Sequence, residues 1–173
     1  MTDYETVIGL EVHAQLHTRS KMFCSCAADY QRARPNTRVC PVCLGLPGSL
    51  PVINEQAVRG VVMTGLALHS NILNYTKFDR KNYPYPDLMK GYQISQYDKP
   101  IAERGTLTIT TDSGSQDIGI TREHLVEDVA RLVHTSDADN SQYSMLDINS
   151  AGVPLMEIVS APDMRTPEAA HNY

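Results

Sequence analysis

From Thr6 to Leu16 apolar and polar positions alternate. Ile8, Leu10, Val12, Ala14 and Leu16 share one side, while Val7, Gly9, Glu11, His13 and Gln15 share the other. This is the pattern of a strand with one core face and one largely polar face. It sets Glu11 and His13 side by side, roughly 7 Å apart along the strand. Residues 20–52 drop the alternation and are rich in turn formers. Asn54 is placed to cap a helix running from Glu55 to about His69, with Val58, Val61, Val62, Leu66 and Leu68 as its apolar stripe.

Residues 78–98 follow neither period. They hold four of the nine tyrosines, two prolines and three cations, and read as an ordered polar loop with short strands. Thr106–Thr111 and Asp117–Thr121 alternate around Asp112-Ser113-Gly114-Ser115, a hairpin signal. His124 to Val133 fits a strand that gives way to a helix after Asp128. Leu155-Met156-Glu157-Ile158-Val159 reads as a buried strand carrying one carboxylate. Thr166-Pro167-Glu168 is a helix start, with an N-cap, a proline in the first turn and an acidic residue behind it. The helix meets the end of the chain within two turns, which suggests a piece of a longer protein. The elements add up to an α+β fold with antiparallel pairing.

The 173 residues suit one domain, or one domain with a small subdomain, and are enough to bury a real core. A hydrophobic share of 42% and a charged share of 20% are ordinary for a globular protein. The formal charge of −5 argues against a surface that coats nucleic acid, though not against local RNA contacts. With no signal segment and no long apolar run, the expected setting is the cytoplasm.

All four cysteines fall in two close pairs, Cys24-Ser25-Cys26 and Cys40-Pro41-Val42-Cys43. Two turns presenting two sulfurs each match a closed tetrahedral Zn²⁺ site, which is normally structural. Two disulfides or unrelated buried thiols are the alternatives. A second constellation is Glu11, His13, Glu127 and Glu157. A carboxylate inside an apolar strand, as at Glu157, costs several kcal/mol unless it is paired or coordinated. Its plain alternatives are a buried Arg or Lys partner, or an edge strand facing solvent. Glu11 and His13 equally describe a solvated sheet face, and Glu127 can pair with Arg131 if that stretch is helical. Several carboxylates from different strands are the way proteins hold Mg²⁺ on nucleotide phosphates, with nearby cations neutralising charge. Arg80 and Lys81 are candidates for those cations, or form an ordinary surface charge pair. No Gly-rich phosphate loop is present, so a nucleotide such as ATP would bind on a sheet surface through metal.

Several of these segments are recognisable. Val7-Ile8-Gly9-Leu10-Glu11-Val12-His13, Cys40-Pro41-Val42-Cys43-Leu44-Gly45-Leu46-Pro47-Gly48, Lys77-Phe78-Asp79-Arg80-Lys81-Asn82-Tyr83, Gly91-Tyr92-Gln93-Ile94-Ser95-Gln96-Tyr97-Asp98 and Gly152-Val153-Pro154-Leu155-Met156-Glu157-Ile158-Val159 resemble the GatB family. These are the B subunits of the aspartyl/glutamyl-tRNA amidotransferases. The resemblance runs in order from about Tyr4 to the last residue.

The resemblance implies an antiparallel-sheet cradle like that of glutamine synthetase and the guanido kinases. Residues 1–173 would be its N-terminal part, with residues 20–52 inserted as a zinc knuckle. It implies ATP- and Mg²⁺-dependent phosphorylation of the side-chain carboxylate of Glu-tRNA(Gln) or Asp-tRNA(Asn). Ammonia channelled from the glutaminase subunit GatA would then displace phosphate, with GatC clamping the two subunits. By matching motif, Glu11, His13, Glu127 and Glu157 would form the metal and catalytic face, and Lys81 would lie near the ammonia entrance with Glu127. Three departures stand out. The family pattern Glu-Glu-Asp followed by Gly-Lys is here Val126-Glu127-Asp128 and Ala130-Arg131; its Asn-Arg is Asn149-Ser150; its Glu-Pro-Asp is Ala161-Pro162-Asp163. The alternative from another class is a zinc-stapled docking fragment that binds GatA or tRNA without catalysing anything.

Overall fold

The computed structural model describes residues 4–137, 139 and 141–173. Its centre is a five-stranded antiparallel sheet built from β1 (Glu11–Gln15), β2 (Asn71–Ile72), β5 (Ala102–Thr111), β6 (Gly114–Glu127) and β9 (Pro154–Ser160), ordered β1-β9-β6-β5-β2. Two short ribbons flank it. One pairs β3 (Asp79–Asn82) with β4 (Tyr92–Ser95), and the other pairs β7 (Arg131–Ser136) with β8 (Gln142–Asp147). Helix α1 (Glu55–Ala67) covers one face of the sheet, and α2 (Pro167–Asn172) packs on β5.

The caps form as the sequence dictates. The Asn54 side chain accepts from the Gln56 amide, and that of Thr166 accepts from the Ala169 amide behind Pro167. The hairpin turn falls at Asp112-Ser113, where Thr111 pairs with Gly114. Helix α1 turns Ala57, Val61 and Gly65 inward, with Val58 and Val62 beside them, onto Leu125, Met156, Ile94, Met22 and Phe23. Each such aliphatic side chain, fully buried, stabilises the fold by about 1.5–3 kcal/mol. Leu66, expected on the inward stripe, is 61% exposed, because Gly65 takes the close contact with Ala102 and Ile72 instead. The first strand is shorter than its alternation suggests: Ile8 makes a single bridge to Met164, and the ladder starts at Glu11.

The helix expected after Asp128 is a strand. Arg131–Ser136 pairs residue for residue with Gln142–Asp147, so Arg131 meets Asp147 across the ribbon. Upstream, β6 carries a bulge. Between Ile120 and Arg122 the register of β6 against β9 slips by one, opposite Arg104, which has φ +60°. This bulge reverses the phase of β6. Ile118 and Ile120 point to the apolar side, but beyond the slip Arg122, His124 and Val126 point away from it, and Glu123 and Leu125 take the apolar side.

Glu123 is therefore a fully buried carboxyl. One oxygen accepts from Ser70 Oγ at 2.7 Å, and the other has no hydrogen-bond partner among the described residues. Burial raises its pKa, so the folded state holds the proton more tightly than the unfolded chain does. Stability from this group is then full below the ordinary Glu pKa and falls as pH rises through the raised value. Glu123→Gln keeps an acceptor for Ser70 and removes the charge. The variant should melt above the parent at pH 8, by about 1–3 kcal/mol of stability, and the gap should close near pH 4. Thermal unfolding across pH measures it; a gap that does not depend on pH would contradict this reading.

Candidate functional site

The pairing of β1, β9 and β6 lays polar residues out in rows on the face away from α1. One row is His13, Glu157 and His124; the next is Glu11, Val159 and Arg122; the third is Gln15, Leu155 and Val126. Cross-strand neighbours on one face sit within about 5.5 Å at Cβ, so the first two rows form a compact patch. His13 Nε2 lies 3.1 Å from Glu157 Oε2, and His124 Nε2 lies 3.5 Å from Glu157 Oε1. Ligand atoms of Glu11, His13 and Glu157 all fall within 4.8 Å of one another.

Glu157 is only 7% exposed. Burial, and then the hydrogen bond and charge of Glu11, push its pKa up to about 7. The same hydrogen bond lowers that of Glu11. The pair thus shares a proton that a cation would displace, as expected for two carboxyls in one site. Burial drives the His124 pKa down to about 4, so its ring is neutral at pH 7 and its contact with Glu157 is not an ion pair. Its Nδ1 is buried without a partner among the described residues. An imidazole and two carboxylates within this reach can take a divalent cation in an octahedral shell, with water completing the ligands.

The structure brings together Glu11, His13 and Glu157 but not Glu127. Glu127 points to the other side of β6, where its carboxylate takes the Lys90 ammonium and the Ile94 amide at 2.8 Å. The alternative pairing with Arg131 falls with the helix it needed. Position 126 is the one on the polar face, and here it is valine. Lys81 stands on β3, exposed, close enough for its charge to favour ionised Glu11 and Glu157. Arg80 instead stacks on the Tyr92 ring, 4.4 Å from its centroid. Arg122 and His124 were missed by sequence reasoning. Their signal, two polar residues spaced by two on β6, was hidden because the bulge breaks the phase that would have put them with Glu157.

The four cysteines form a separate cluster. Cys43 Sγ lies 3.4, 3.6 and 3.8 Å from the sulfurs of Cys24, Cys40 and Cys26. These separations exceed a disulfide bond, about 2.05 Å. They match the edge of a tetrahedron with Zn–S bonds of about 2.3 Å. Hydrogen bonding from Cys24, then the Lys21 charge, pulls the Cys43 pKa down to about 4. Burial first, then neighbouring thiols, raises Cys26 to about 11. Lys21 is fully buried: its Nζ donates to the Arg38 carbonyl at 2.6 Å and sits 3.6 Å from Cys43 Sγ. It offsets the negative charge that four thiolates around one Zn²⁺ would carry. Neighbouring Met22 and Phe23 are core residues, which fastens this module to the sheet.

An α+β domain whose sheet carries a carboxylate–histidine cluster on one face, stapled by a four-cysteine centre, thus emerges from the geometry. Residues 6–173 match the family described as "GatB/GatE catalytic domain". The chain belongs to that family. It is 64% identical over 173 residues to a Dehalococcoides mccartyi protein named as the B subunit of aspartyl/glutamyl-tRNA(Asn/Gln) amidotransferase, covering all of this chain and 35% of that protein. Proteins of the same name from Thermomicrobium roseum and Methanospirillum hungatei are 64% and 53% identical, covering 99% and 100% of this chain and 35% and 36% of their own length. The chain spans about a third of the curated relatives it matches. Among the described residues no helix is long and apolar enough to cross a membrane.

The two centres are separable. Chelating a metal from the cysteines, or Cys43→Ser, should speed amide hydrogen exchange through Cys24–Leu50 while leaving β1 and β9 protected. Faster exchange at Glu11, His13 and Glu157 with the fold otherwise intact would contradict this.

Proposed function

We propose that this chain supplies the phosphoryl-transfer face of a tRNA-dependent amidotransferase of the GatB type. The observation that carries the reading is the Glu11–His13–Glu157 cluster on the open face of a GatB/GatE catalytic domain. The substrate would be Glu-tRNA(Gln) or Asp-tRNA(Asn), as the relatives' shared name supports. Glutamine would be the amide donor, through a GatA partner held by GatC, in the cytoplasm. The sheet would be a cradle of the glutamine synthetase and guanido kinase type, with residues 1–173 its N-terminal part and residues 20–52 its zinc module.

Chemically, a carboxylate is a poor electrophile. Its oxygen would attack the terminal phosphorus of ATP, forming a new O–P bond as the bond to the ADP oxygen breaks. Ammonia would then add to the acyl carbon, the C–O bond would break to release phosphate, and nitrogen would lose a proton to give the amide. Mg²⁺, held by Glu11, His13 and Glu157, would draw charge from the phosphoryl oxygens. In this reading Glu157 is fixed by His13 on one side and His124 on the other, which holds its carboxylate in one orientation. Lys81 adds positive charge at the rim. A domain that only docks through its zinc centre would need neither the buried Glu157 nor its two imidazoles.

In the full-length protein with its partners, Glu157→Gln should slow ATP-dependent phosphorylation of Glu-tRNA by about 10²–10³, read by product formation in single turnover. An unchanged rate would overturn the assignment. Val126→Glu restores a carboxylate to the polar face and should tighten Mn²⁺ binding by about tenfold, measured by electron paramagnetic resonance titration.

A further inference from the structure

We propose that Arg122 is the residue of this face that grips the phosphate groups of the nucleotide, the role that sequence assigns to Arg80 and Lys81. The inference rests on reading the face as a metal–nucleotide site. Arg122 and Glu11 flank Val159 in one cross-strand row, with side chains on the same face. Two strand spacings separate them, about 10 Å. The next row over carries His13, Glu157 and His124. A cation on Glu11, His13 and Glu157 would therefore sit toward one end of this stretch of the face, with the guanidinium toward the other. A chain of phosphates fits between a metal and a cation set apart in this way.

The state of Arg122 agrees. Among the described residues it forms no ion pair with a carboxylate, and its Nε is buried without a hydrogen-bond partner. A buried donor left open costs about 1–3 kcal/mol, more for a charged group, so such a donor calls for a partner, and a phosphoryl oxygen can supply one. The guanidinium lies 5.4 Å from the centroid of the Tyr97 ring, which is 72% exposed. That stacking steadies the guanidinium while leaving its hydrogen-bond donors unused. A planar fork of donors matches two oxygens of a phosphoryl group better than a lysine ammonium does. His124 adds a second open donor or acceptor in the adjacent row, its Nδ1 unpartnered at 2% exposure. Arg80 has no such buried open donor: it is exposed on the outer ribbon, against Tyr92.

The test uses this chain with Arg122→Gln and Arg122→Lys, each checked for an unchanged circular dichroism spectrum and melting curve. Mn²⁺ alone is titrated by electron paramagnetic resonance; Mn²⁺ with ATP and Mn²⁺ with inorganic tripolyphosphate are titrated by calorimetry. Arg122→Gln should weaken both phosphate ligands by about tenfold or more while shifting Mn²⁺ affinity less than about twofold, and Arg122→Lys should recover part of the loss. Equal affinity of Arg122→Gln and the parent for both phosphate ligands overturns the proposal but leaves the metal site standing. A parent that binds Mn²⁺ but neither phosphate ligand overturns it too. A parent that binds no Mn²⁺ removes the metal reading and this inference together.

Discussion

Glu157 sits in the middle of three antiparallel strands, 7% exposed, with an imidazole on each flank. An isolated carboxylate there would cost several kcal/mol. The ladder meets that cost by bringing polar neighbours into line: β1 sets His13 opposite Glu157, and β6 sets His124 on its other side. Everything else on the polar face follows from this register. A slip of one residue in either pairing would turn the neighbouring side chains into the core beneath α1 and leave Glu157 alone.

The bulge on β6 is the second constraint. Its amino-terminal half must bury Ile118 and Ile120, while its carboxy-terminal half must present Arg122 and His124 to the polar face. A regular strand cannot do both, because all four positions share one parity. The one-residue slip, matched by the left-handed turn at Arg104, resolves the conflict. It also decides which of two adjacent positions faces the site. Position 126, not 127, shares the face of Glu157, so the valine there removes a possible ligand while Glu127 is committed to Lys90 and Ile94.

Much of this was legible in the residues. The caps at Asn54 and Thr166, the turn at Asp112-Ser113 and the strand around Glu157 all rest on local rules, and they form where those rules put them. The pairing of Glu11 with His13 was readable from period-two alternation alone, and the cysteine cluster from spacing. Illegible were the features fixed by long-range contact. The bulge hid Arg122 and His124; ribbon pairing overrode the helical reading of Arg131–Ser136; a close approach at Gly65 displaced Leu66 from the core. Lys21, buried against the Cys43 sulfur, is invisible to any reading that places lysines at the surface.

The cysteine centre and the polar face divide the work of the fold. The first ties a turn-rich segment to the core through Met22 and Phe23; the second gathers the groups that can hold a cation. The central claim is that the second is a metal site with one nitrogen ligand. Electron spin echo spectroscopy of bound Mn²⁺ tests it directly. The account predicts a ¹⁴N coupling from one imidazole, lost in His13→Gln and retained in His124→Gln. Bound Mn²⁺ with no ¹⁴N coupling, or a coupling that survives His13→Gln, would contradict it.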